Sequence, residues 1–102
     1  MMDDVIWGDV IHAVDLDVVD VHVTYLPTMN RGQYKTLERI RLMSPDNLGP
    51  AMKNMPLSDS GFIHLLDQEI NSANDLVGRH LLLRVLERND QDDLHCELNL
   101  IV

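Results

Sequence analysis

Val18-Val19-Asp20-Val21-His22-Val23-Thr24-Tyr25 is the stretch that decides the fold. Apolar side chains at 19, 21, 23 and 25 alternate with Asp20, His22 and Thr24. A period of two sends one set to a buried face and leaves the other in water, the pattern of a half-buried strand. Upstream, Ile6, Val10, Ile11 and Val14 mark another strand, separated from the first by the polar break Asp15-Leu16-Asp17. Downstream, residues 27–32 form a turn cluster in which Asn30 and Gly32 can take unusual backbone angles. Residues 34–43 then read as a third strand. Leu37 is out of phase with Ile40 and Leu42 there, which predicts a bulge.

Further along, residues 44–50 carry the proline, glycine and Asx content of a loop. Met43, Met52 and Met55 flank or enter it as flexible core filling. Ser58 or Ser60 can cap a helix bearing Phe62, Ile63, Leu66, Ile70, Ala73 and Val77 at a spacing of three and four. Gly78 is placed to end it in the left-handed conformation, and Asn71, Ser72 and Asn74 weaken its second half. Residues 80–88 return to strand, with Leu81, Leu83 and Val85 on one face and Leu82 and Leu86 on the other, which implies a central strand. A polar turn at 89–93 leads into a last strand at 94–102, with Leu94, Cys96, Leu98 and Leu100 on one face. The fold class expected is therefore mainly β, in the order β-β-β-α-β-β, which is that of a five-stranded Greek-key barrel, the OB-fold.

The chain of 102 residues fits one domain over positions 1–102. It ends within a strand pattern, Leu98-Asn99-Leu100-Ile101-Val102, as a piece of a longer protein would. The formal charge of −9 leaves only eight cations with which to build a basic patch. A field of that sign repels phosphate backbones, so nucleic acid is disfavoured and a neutral or basic protein partner is expected. Cys96 is the single cysteine. No internal disulfide can form, the alternating apolar run buries the thiol, and the usage fits a reducing intracellular compartment, cytoplasm or nucleus. No apolar run approaches the roughly 18 residues of a membrane span, and the acidic start Met1-Met2-Asp3-Asp4 is unlike a secretory signal, so no membrane partner is expected.

No complete active site emerges from the residues alone. The five histidines show no metal-ligand spacing within one element, and one cysteine cannot make a zinc site. Asp15-x-Asp17-x-x-Asp20 fails the calcium-loop pattern, with Val19 and Asp20 where an oxygen ligand and glycine belong. No cofactor is expected.

Three segments in order nevertheless carry a resemblance. Ile11-His12-Ala13-Val14-Asp15-Leu16-Asp17-Val18-Val19-Asp20-Val21 resembles the opening of staphylococcal-nuclease-like (SN-like) domains, where an apolar strand runs through Asp-Gly-Asp-Thr into the next. Arg41-Leu42-Met43-Ser44-Pro45-Asp46-Asn47 is similar to that family's Arg-Leu-x-x-x-Asp-Thr/Ala-Pro-Glu segment. Leu76-Val77-Gly78-Arg79 before an apolar strand is similar to its helix end and fourth strand.

The resemblance implies a phosphodiesterase ancestry, in which aspartates hold calcium, a glutamate acts on water and two arginines stabilise the phosphoryl charge. Asp17 and Asp46 match the metal-binding aspartates, and Arg41 matches the first arginine. Leu16 and Val18 replace the turn glycine and the threonine. Asn47-Leu48-Gly49 stands where the glutamate belongs, and Asp92-Asp93-Leu94-His95-Cys96 lacks the second arginine. A site without its base and one clamp is expected to be inactive, leaving Asp17, Arg41 and Asp46 as vestigial positions with no catalytic and no metal-binding residues. If Asp17 and Asp46 face each other, their repulsion predicts that Asp17→Asn stabilises the fold.

Each retained residue also has a plainer reading. Asp15 and Asp17 suit a tight turn, and Arg41 can pair with a neighbouring carboxylate. Barrels of this kind that have lost their site occur beside Tudor modules in RNA-silencing proteins, so the resemblance implies a catalytically inactive scaffold for protein–protein interaction. A calcium-dependent nuclease and a single-stranded nucleic-acid-binding module without cleavage are the alternatives.

Overall fold

The alternating run forms a strand over Val18–Tyr25, as its period requires. The structure is a computed structural model that describes residues 4–26, 32–43, 70 and 72–102. Its strands are β1 (Val5–Ala13), β2 (Val18–Tyr25), β3 (Leu37–Met43), β4 (His80–Arg88) and β5 (Leu94–Ile101). They close into a barrel in the order β1-β2-β3-β5-β4, with β4 returning to β1. Every pairing is antiparallel except β3 with β5, which is parallel. This is the mainly β, OB-fold-like closed barrel that the strand order predicts.

The interior is filled by alternate residues from every strand. Ile6, Val19, Val21, Ile40, Leu42, Leu81, Leu83, Val85, Leu94 and Cys96 are all fully buried. β1 contributes Gly8 between Ile6 and Val10, where a Cβ would meet Val21 Cγ1 at 2.2 Å and the His22 carbonyl oxygen at 3.0 Å. Only a residue without a side chain lets β1 cross β2 so closely. A 3₁₀ turn, Ala73–Leu76, packs against the barrel with Ala73 and Leu76 fully buried. Three residues per turn bring positions 73 and 76 to the same side. The Ala73 N–H donates to the Leu16 carbonyl at 3.0 Å, and the Gly78 N–H to that of Val10 at 2.8 Å, which ties this turn to β1 and the loop after it.

Several sequence expectations need correction. The bulge falls in β1, where pairing steps from Val10↔Val21 to His12↔Asp20 and leaves Ile11 over; Ile11 is 52% exposed. β3 pairs with β2 without a slip, because the in-phase residue is Glu38, buried with Ile40 and Leu42, while Leu37 faces out. In β5 the pairing steps past Asn99, so Leu100 is exposed and Ile101 buried. Most of the helix expected between 58 and 77 lies outside the described residues. Within them, Ile70, Ala73 and Leu76 are buried, whereas Val77 is exposed. Gly78 has φ +85°, the left-handed angle expected of it. β4 pairs on both sides, as its two apolar faces require.

Candidate functional site

Asp17 and Arg41 meet at the rim of the barrel. The β1–β2 turn is closed by the N–H groups of Val14 and Asp15, both donating to the Val18 carbonyl, and Asp15 Oδ1 accepts from the Leu16 N–H at 2.8 Å. This turn brings Asp17 beside β3, where the Asp17 carbonyl accepts the Leu42 N–H at 2.7 Å and Val18 lies opposite Arg41. The Asp17 side chain is buried, and Arg41 Nη1 donates to its two carboxylate oxygens at 3.3 and 3.4 Å. Those distances exceed a tight charge-assisted bond, and the guanidinium keeps contact with water, so the pair is modest in strength.

Asp46, the third position that the resemblance matched, lies outside the described residues. Among the described residues no three His, Cys, Asp or Glu side chains gather as a ligand set. A calcium ion against the Asp17 carboxylate would also face the Arg41 guanidinium, so these two residues as placed do not fit one. With Asp17 buried against a cation, Asp17→Asn also leaves Arg41 a weaker acceptor, while the repulsion from Asp46 on which the expected gain depends lies outside the described residues.

In OB-fold barrels, oligonucleotides lie on the β2–β3 face between the loops after β1 and β4. Here that face is a shallow groove lined by Asp20, Lys35, Leu37, Arg39, Asp92 and Asp93, together with Gln91. Its cations are matched by acids. Arg39 Nε donates to Asp20 Oδ1 at 3.0 Å, a bond that raises its already high pKa, and the Lys35 ammonium holds the Asp92 carboxyl below its ordinary value. The loop over the groove is shaped by Asn89 Oδ1, which accepts the N–H groups of Gln91 and Asp93, and by Asp92 at φ 68°.

Beneath this loop lies a buried polar cluster that the sequence reading missed. The Glu38 side chain is fully buried; it accepts from Arg88 at 2.8 and 3.1 Å and from the Lys35 N–H at 2.9 Å. Arg88 also donates to the carbonyls of Gln33, at 2.8 Å, and Asp92, at 3.0 Å. Tyr34 donates its hydroxyl to Asp4 at 2.5 Å, and burial followed by that bond raises its pKa. Burial, then the nearby Glu38 carboxylate, raises the Cys96 thiol too, so it is an inert core group. The signal for the cluster was the period-two match of Glu38 with Ile40 and Leu42.

A second unpredicted arrangement lies on the outer face of β1 and β4. Trp7 stacks on His80 with ring centroids 4.8 Å apart and planes 8° apart, and His80 Nδ1 lies 2.6 Å from Asp9 Oδ1. Buried Glu97 pairs with Arg84 at 2.5 Å.

No family model, curated protein or solved structure matches this chain.

Proposed function

We propose that this chain is a non-catalytic, SN-like barrel that serves as a protein-interaction scaffold. The observation that carries the reading is the fate of five cations among the described residues. Lys35, Arg39, Arg41, Arg84 and Arg88 each face a carboxylate within 3.3 Å. A phosphoryl clamp needs donors held ready for developing charge, and Arg41, the matched position, is bonded to Asp17 instead. Phosphate binding draws on cations free to displace counterions, whereas these would first have to leave their acids. The chain's charge of −9 works in the same direction. In the setting the resemblance implies, among Tudor modules of RNA-silencing proteins, such a barrel holds proteins together rather than cutting RNA.

Fluorescence anisotropy with labelled single-stranded RNA and DNA tests this at low ionic strength. At about 50 mM salt, no binding tighter than about 10⁻⁴ M is expected. Micromolar affinity that weakens steeply as salt rises would favour a nucleic-acid-binding module. A gain in stability on adding calcium, lost in Asp17→Asn, would favour a working metal site.

A further inference from the structure

The outer face of the barrel carries an apolar row that crosses four strands. Cross-strand pairing places Tyr25 beside Trp7, Trp7 beside Leu82, and Leu82 beside Leu100, which is one lateral line over β2, β1, β4 and β5. Tyr25 is 56% exposed and Leu100 44%, while Trp7 and Leu82 are half-buried. Two irregularities of the sheet build it. The slip between Trp7 and Gly8 sets Tyr25 opposite Trp7, and the step past Asn99 turns Leu100 outward. The Trp7 ring is already fixed by its stack on His80, which is itself held by Asp9. A rigid aromatic with two flanking apolar side chains is the composition of a binding hot spot, and scattered single hydrophobics would not line up this way.

We infer that this row is the docking site for an apolar, positively charged segment of another protein. The inference rests on the scaffold reading and supplies its surface and its partner's chemistry. At a strand spacing of about 4.8 Å, the row runs about 14 Å, the length of an extended segment of about four or five residues. Charge selects the occupant. A second copy would bring another net charge of −9, and a nucleic acid would bring phosphates, so both are repelled. A cationic segment is attracted by the chain's net charge, and the half-exposed Asp9 carboxylate, which keeps one oxygen beyond its contact with His80, borders the row at its centre.

Short tryptophan-free peptides of alternating Leu and Lys, Leu and Glu, or Ser and Lys are the probes. Binding is read from amide shifts and from the fluorescence of Trp7, the single tryptophan. The Leu–Lys peptide is expected to shift the amides of the row and to bind at least about tenfold more tightly than the other two. The double variant Tyr25→Ser, Leu100→Ser changes only exposed side chains, keeps the remaining spectrum, and is expected to weaken that binding by at least about tenfold. Equal binding of the Ser–Lys peptide, shifts confined to the groove near Asp20 and Asp93, or a dimer that Leu100→Ser dissolves would each overturn the inference. All three outcomes leave the scaffold reading standing, whereas tight nucleic-acid binding would overturn that reading regardless of the peptides.

Discussion

Replacing Arg88 by methionine removes the partner of the most deeply buried charge among the described residues. Glu38 would keep one hydrogen bond, from the Lys35 N–H, and lose two from the guanidinium, with its side chain fully shielded from water. Leaving such a carboxylate uncompensated costs about 3–5 kcal/mol, against a total stability of about 5–15 kcal/mol for a domain of this kind. The carbonyls of Gln33 and Asp92 lose a donor as well, so the upper half of that range is expected. Arg39→Met is the control: it breaks an ion pair whose arginine is exposed to water and screened by it, so only a small loss, well below that of Arg88→Met, is expected. The double variant Glu38→Leu, Arg88→Met removes both charges and should recover most of the loss, because an apolar pair of similar volume suits the barrel interior. Urea unfolding of the four proteins at neutral pH measures all of this. An Arg88→Met cost no larger than that of Arg39→Met would refute the burial argument. So would a double variant as unstable as the single.

Three further outcomes follow from the same geometry. Gly8→Ala should cost about 1–3 kcal/mol by overpacking, because the new Cβ would fall 2.2 Å from Val21 Cγ1; adding Val21→Ala should return part of the loss in the same unfolding assay. Asp17→Asn should destabilise by about 1 kcal/mol, since it leaves the Arg41 guanidinium with a weaker acceptor. Burial keeps the Cys96 thiol protonated above its ordinary value of 9.0, so the unfolded chain releases that proton first. Stability is then complete below about pH 9 and falls above it, by at most about 1.4 kcal/mol per pH unit from this group, and the raised Tyr34 hydroxyl adds in the same direction at higher pH. Unfolding midpoints across that range should show the decline, and Cys96→Ala should lessen it.

Much of the barrel was legible because its strands obey simple periods. Val19, Val21 and Val23 alternate, and Leu81, Leu83 and Val85 do so between two neighbours. The errors came where a local rule was overridden by a distant residue. Leu37 looked like the core residue of β3, yet Glu38 takes that place because Arg88, fifty positions away, satisfies it. Ile11 and Leu100 carry the right hydrophobicity on the wrong side of a bulge, and bulges leave no mark in composition. At the candidate site, Arg41 pairs with a neighbouring carboxylate, Asp17, as the plainer reading of that arginine had it. The apolar row was invisible in the sequence, because its four members lie on four strands and meet only through register.

Incubation of the whole chain with single-stranded RNA and DNA in millimolar calcium, followed by sizing of the products, tests the non-catalytic reading most directly. With Arg41 bonded to Asp17, and neither glutamate nor second arginine at the matching positions, the nucleic acid should remain full length. Calcium-dependent shortening that disappears in Arg41→Ala would contradict it.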